Sequence, residues 1–268
     1  MSGSALNRAR IVDMDASWVR DFYAKQDEWA GVSRDSVAYV HRRNADLAHR
    51  LAGGKLGRAL ELGAGGGQNA AALADLGYSV TAVELVPSVA QNALELAAQP
   101  RKGQLRVIVG DFYDVELPDR YDIVCYWDGF GVGSDDDQQR LLRRIAGWLM
   151  PDGFALIEVY TPWYWSGIAR SGMAGRETQF GGVCRRYGFD ADGSRMLDTW
   201  WPVGRETEAV TQSLRCYSPA DLELLLKDTG LSLESVEPRG AYDPARDRFV
   251  EDAPLEQSMQ YLAKLVLA

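Results

Sequence analysis

The residues best suited to chemistry in this chain lie in "RALELGAGGGQNAAALADLGYSVTAVE", residues 58 to 84. A short apolar run carries Glu61 near its end, glycines follow at Gly63, Gly65 and Gly67, and an alanine-rich helical pattern begins. A second apolar run then stops on Glu84. Glycines so placed let the backbone turn tightly and approach a ligand, just ahead of a helix N-terminus. Dinucleotide folds use the same device to set helix amides against a pyrophosphate. Here the spacing is G-x-G-x-G, with Ala70 and Ala71 where a third fingerprint glycine would stand, and alanine is tolerated there. The glycines alone do not separate one nucleotide-like ligand from another, and such turns also occur with no ligand at all.

The carboxylates separate them. Glu61 stands two residues before the first glycine. A pyrophosphate would be repelled there, whereas a free ammonium gains a charge-assisted hydrogen bond. Glu84 closes the second run, where an acid can accept bonds from both ribose hydroxyls. Asp111, in "VIVGDFYD", closes a third run beside Phe112 and could accept a bond from an adenine amino group. The plainer alternative makes Asp111 a turn cap and Phe112 a core residue. Amino acid, ribose and adenine, met in that order along one sheet edge, describe S-adenosylmethionine.

These groups need a scaffold. After "AGGKLG", strand candidates Arg58–Leu62, Ser79–Leu85, Leu105–Gly110, Tyr121–Trp127 and Gly153–Tyr160 alternate with helix candidates Gln68–Leu76, Pro87–Ala98 and Asp135–Leu149. Such alternation predicts a parallel sheet covered on both faces. Residues 1–53 read as an N-terminal helical lid, 54–160 as the cofactor-binding core and 161–217 as an antiparallel insertion. Residues 218–268 complete the α/β core, with a helix capped by Ser218, a strand "LSLESVEPRG" and a closing helix "PLEQSMQYLAKLVLA".

At 268 residues, 46% of them hydrophobic, the chain has ample material for a core. Its net charge of -9, without a Lys/Arg cluster, argues against a nucleic-acid partner. No apolar run is long enough for a membrane span, and no secretory h-region opens the chain. Three cysteines without metal-type or redox-type spacing fit a cytoplasmic setting.

"LELGAGGG", "VELV", "GDF", "YDIVCYWDGFG" and "LMPDGFALIEVY" resemble the successive motifs of class I S-adenosylmethionine-dependent methyltransferases. The resemblance covers roughly residues 56 to 160 and resumes at "RCYSPADLELLLKDTGLSLESV". It implies a doubly wound, mostly parallel seven-stranded α/β sheet with the last strand antiparallel, and cofactor binding at the strand C-termini. Carried over by position, Glu61, Gly63, Gly65 and Gly67 hold the methionine end, Glu84 the ribose, and Asp111 with Phe112 the adenine. Trp127 and Asp128 then face the transferring methyl group.

Methyl transfer from a sulfonium needs positioning and dryness more than side-chain chemistry. A base is required only where the acceptor holds its proton tightly. Asp128 is the first candidate, with His41 and Tyr23 behind it. Asp128 could equally be a turn residue, and His41 an ordinary helix-surface or core histidine. Tyr23 and Trp29 could close a lid over the sulfonium by cation–π contact or could simply be helix core. Tyr160, Trp163 and Trp165, with Tyr164, Trp200 and Trp201, concentrate aromatic surface where the family has its acceptor pocket. Singly each could anchor the insertion; together they favour a small-molecule acceptor. Asp135–Asp137 follow Ser134 as helix-start acids do, so no metal is expected. The alternatives are an NAD-dependent oxidoreductase, which Glu61 disfavours, and a non-catalytic S-adenosylmethionine binder. The aromatic insertion and the apolar C-terminal helix together suggest a homodimer.

Overall fold

The computed structural model describes residues 18–170, 176–177, 181–243, 246 and 248–268. Residues 1–17 of the expected lid, and 171–175 and 178–180 of the expected insertion, lie outside the described residues. Two helices come first, α1 (Trp18–Ala30) and α2 (Tyr39–Leu51). The alternating core follows as β1 (Arg58–Leu62), α3 (Gln68–Leu76), β2 (Ser79–Glu84), α4 (Pro87–Ala97), β3 (Gln104–Val109), β4 (Tyr121–Tyr126), α5 (Asp135–Trp148) and β5 (Leu149–Tyr160). After α6 (Pro162–Arg170) come β6 (Arg176–Glu177), β7 (Val183–Asp190), β8 (Arg195–Pro202) and β9 (Val210–Arg215). The chain ends with α7 (Pro219–Leu225), β10 (Leu231–Pro238), the short pair β11 (Ala241–Asp243) and β12 (Arg248–Val250), and β13 (Gln260–Leu267).

The main sheet runs β10-β13-β5-β4-β1-β2-β3. Its central strands read as nearly continuous apolar runs because both faces are covered, as parallel sheets require. Leu141, Ile145 and Trp148 of α5 and Leu222 and Leu225 of α7 pack on one face. Ala45, Leu47 and Ala48 of α2 and Ala70 and Leu73 of α3 pack on the other. The doubly wound α/β class expected from the sequence is what the chain adopts. Strand order reverses between β1 and β4, and ligands of such sheets bind in the crevice at that switch point. The helix starts are equally legible. The hydroxyl of Ser134 accepts from the Asp137 amide at 3.1 Å, while the Asp137 carboxylate accepts from the Ser134 amide at 2.9 Å. Ser218 and Asp221 repeat the arrangement ahead of α7.

The closing segment departs from its expected helix. Residues 255–257 form a single 3-10 turn, and Gln260–Leu267 insert as an antiparallel strand between β5 and β10. Tyr261, Leu262, Ala263 and Leu265 are fully buried there. Helix propensity favoured Leu, Ala, Lys and Gln, but a ladder on both sides and burial on both faces outweigh a few tenths of a kcal/mol per residue. With that face spent inside the sheet, the C-terminal helix no longer supports a dimer.

The insertion builds a second, antiparallel sheet, ordered β6-β7-β8-β9. It leans on α1 and reaches the core through a bridge between Val132 and Leu214. No helix among the described residues is long and apolar enough to cross a membrane.

Candidate active site

A cavity of about 570 Å³ opens at the C-terminal ends of β1, β2 and β4, within the usual range of small-molecule sites. Three bodies wall it: the strand-end loops of the core, α1, and the insertion sheet through Arg185 and Trp200.

Glu61, Gly63 and Gly65 line it along the first loop. Gly67 does not. It opens α3 with φ +78, and a side chain there would lie 2.6 Å from the Ala93 methyl of α4. That glycine is required by the close approach of two helices. Glu61 is 2% exposed, and its Oε2 has no hydrogen-bond partner among the described residues. Burial, then the charge of Glu84, push its carboxyl up to about 8, against the pull of the Ala70 amide. An orphaned buried carboxylate oxygen is costly, and the cost falls when a cationic donor reaches it.

Glu84 ties two loops together. Its Oε2 accepts from the Gly65 amide and its Oε1 from the Val86 amide, both at 2.8 Å. The carboxylate keeps acceptor capacity for a further donor. Burial raises this carboxyl too, opposed by those amides, by Leu85 and by Arg20. Asp111 does cap a turn, accepting from the Tyr113 amide at 2.8 Å, and it also lines the cavity with Phe112 and Tyr113.

Trp127 and Asp128 follow β4 and line the cavity. Trp127 is 6% exposed and its indole N–H has no hydrogen-bond partner among the described residues. Asp128 holds a left-handed backbone, φ +53, that non-glycine residues rarely adopt. Its amide donates to Glu158 Oε2 at 3.3 Å, and Oδ1 accepts from the Tyr160 hydroxyl and from Gln260 Nε2. Glu158 is paired with Arg239 at 2.9 Å; Arg239 also donates to Asn44 of α2, whose amide reaches Asn69 at the start of α3 at 3.1 Å. A chain of polar contacts, buried at Glu158 and Asn44, thus connects Asp128 with Asn69, both of which line the cavity. Asp128 is accessible yet surrounded by protein, and burial raises its carboxyl while Tyr160, Arg185 and Gln260 oppose.

Tyr23 of α1 lines the cavity and donates to Gln212 at 3.2 Å. Burial, then Asp128, Glu84 and Asp198, drive its phenol far above the ordinary value, so it remains protonated at neutral pH. His41 is absent from the cavity lining; its Nδ1 accepts from the Ala38 amide at 2.9 Å at the start of α2. Trp29 packs against Phe22, Val183 and Trp200 instead of lining the cavity. Tyr160 is not among the cavity-lining residues; its hydroxyl donates to Asp128 and its ring packs on Trp165. Trp163 and Trp165 pin α6 to the C-terminal segment, donating to the carbonyls of Leu255 at 3.0 Å and Met259 at 2.9 Å. Arg185, Gln68 and Asn69 line the cavity without having been foreseen. Gln68 and Asn69 were readable as the first residues of the helix after the glycines. Arg185 had no sequence signal until the register of β7 on β8 set it opposite Trp200.

Residues 37–236 match the model of a family described as a methyltransferase domain. The chain belongs to that family. Its fold agrees with solved methyltransferases: the CcbJ methyltransferase of Streptomyces caelestis, with a TM-score of 0.64 at 23% identity over 85% of this chain and 95% of that one. A second is an S-adenosylmethionine-dependent methyltransferase of Clostridium acetobutylicum, with a TM-score of 0.64 at 15% identity over 93% and 99%. A curated relative, a protein-L-isoaspartate O-methyltransferase of Leptothrix cholodnii, is 40% identical over 80 residues. That match spans 30% of this methyltransferase chain and 28% of the relative. The resemblance to class I S-adenosylmethionine-dependent methyltransferases read from the motifs is borne out.

Proposed function

We propose that this methyltransferase moves a methyl group from S-adenosylmethionine to a nitrogen or oxygen of a small molecule. The observation that carries the reading is the set of acids Glu61, Glu84 and Asp111, each ending or following a neighbouring strand and all lining one cavity. The residues suit the cofactor: Glu61 has a buried oxygen in want of a cationic donor, Glu84 lines the cavity with acceptor capacity left, and Phe112 lines it with an aromatic ring. Bound there, S-adenosylmethionine supplies an activated methyl on a positively charged sulfur. Glu61 would take the ammonium, Glu84 the ribose hydroxyls and Asp111 the adenine amino group.

The protein's own part is orientation and dryness. Asp128, fixed from Tyr160, Gln260 and Glu158, would hold the acceptor's N–H or O–H, and its raised affinity for a proton suits it to take one. Tyr23, kept neutral, would orient rather than deprotonate. Residues 18–53 would cover the cavity as a lid, with Val19, Arg20 and Tyr23 on its inner side. The size of the cavity and its acidic lining suit a small molecule better than a nucleic acid.

Heat denaturation with S-adenosylhomocysteine and with NAD tests the cofactor. The reading expects a rise in Tm with the former alone; stabilisation by NAD alone would end it. Radiolabelled methyl transfer to a compound library separates an enzyme from a mere binder.

A further inference from the structure

Arg185 is the cation at the far end of the cavity, and its surroundings specify what it is for. Asp198 is 0% exposed in its side chain, against 31% for Arg185. Its carboxylate accepts from Arg185 Nε at 2.7 Å and Nη2 at 2.6 Å, from Trp200 Nε1 at 2.9 Å and from Gln212 Nε2 at 3.2 Å. Asp198 therefore fixes the guanidinium while Trp200 and Gln212 fix Asp198. The planar group also stacks on Tyr187 and Trp200, at 4.5 and 4.8 Å from their ring centres. A buried pair of this kind adds little stability by itself. What it yields is a rigid donor.

A guanidinium has five N–H bonds. Asp198 takes the Nε–H and one Nη2–H, which leaves Nη1 and the outer Nη2–H as a second fork with no hydrogen-bond partner among the described residues. Arg185 lines the cavity, and its charge acts on Asp128 and Tyr160. It stands in the wall that the insertion sheet contributes, whereas Arg20 of α1 donates to the Leu85 carbonyl next to Glu84. The free fork thus belongs with the acceptor and not with the amino-acid tail of the cofactor.

Resting on the methyltransferase reading, we infer that the acceptor carries a single carboxylate, bound end-on by Arg185, while its nucleophilic N–H or O–H meets Asp128. Two parallel N–H donors match one planar carboxylate. A doubly charged phosphate is disfavoured, because five carboxylates (Asp27, Glu61, Glu84, Asp111, Asp128) line the cavity against two arginines, one of them already shared with Asp198.

The test uses the full chain saturated with S-adenosylhomocysteine. A panel of small amines and phenols, each as the free carboxylate and as its primary amide, is titrated calorimetrically. The acids of at least one scaffold should bind about tenfold or more tighter than their amides, as charge-assisted bonds imply. Arg185→Lys keeps the charge but loses the fork, and should close that gap while leaving S-adenosylhomocysteine affinity intact. Arg185→Gln should close it further; if it fails to fold, the wild-type pairs and Arg185→Lys still decide. No acid binding better than its amide would overturn the inference, as would loss of cofactor affinity in Arg185→Lys, which would give the fork to the cofactor. Failure of S-adenosylhomocysteine to bind the wild type would instead overturn the methyltransferase reading on which this rests.

Discussion

Glu61 shows what one buried carboxyl can reveal. Burial beside Glu84 pushes it up to about 8, from an ordinary value of 4.5. The folded chain therefore holds this proton more tightly than the unfolded chain. Its contribution to stability is fully present below about 4.5 and is lost as pH rises through about 8. Urea denaturation between pH 5 and 8.5 should show that loss in the wild type and a flatter profile in Glu61→Gln. An ammonium at Glu61 favours the ionised form, so S-adenosylhomocysteine binding at pH 7 should release up to about one proton. Calorimetry in two buffers of different ionisation enthalpy reads that number directly, and an equal release in Glu61→Gln would remove Glu61 from the cofactor site. His41 illustrates the reverse lesson: a histidine in the right segment became a helix-end acceptor because the Ala38 amide needed one.

Elements carry the site by fitting closely. Gly67 sits where α3 starts and α4 passes, with a left-handed φ and 2.6 Å of room to the Ala93 methyl. Gly67→Val should cost about 1–3 kcal/mol through strain and crowding, seen as a lowered denaturation midpoint. Cofactor affinity should fall with it, because the neighbouring Gly65 amide is held by Glu84. At the other end of the sheet, β13 is a structural strand and also a support for the site. Gln260 at its start reaches Asp128, while Leu265 is fully buried farther along. Leu265→Ala should destabilise the fold by about 2–5 kcal/mol. Cofactor affinity measured well below the midpoint should hardly change, because Leu265 is not among the cavity-lining residues.

At the scale of the molecule, the cavity is complete only when three bodies meet: the strand ends, α1 and the insertion sheet. α1 packs on β9 and α4, with Arg20 donating to the Leu85 carbonyl at 3.0 Å. Its end is latched where Asp27, 2% exposed, accepts from Ser33 and pairs with Arg34 at 3.1 Å. A ligand under α1 should tighten it against both neighbours. Hydrogen exchange with and without S-adenosylhomocysteine should show added protection across Trp18–Ala30, exceeding any change in the central strands, which are already covered. Equal protection in both conditions would deny α1 a role as a cover.

Much of the core was legible because parallel strands covered on both faces must be apolar throughout and must end where polar loops begin. That rule marked β1 to β5 and, at their ends, Glu61, Glu84, Asp111 and Asp128. The helices starting at Ser134 and Ser218 were legible from their caps, which are local chemistry. The tertiary structure alone decided the rest. β13 carries helix-favouring residues and became a strand because β5 and β10 left a slot between them. Arg185 became a cavity residue only through the register of a hairpin. Trp163 and Trp165 became anchors because distant carbonyls stood within reach of their indoles. Residue spacing specifies what a single strand or helix presents, whereas which groups meet across elements depends on partners far away in the chain.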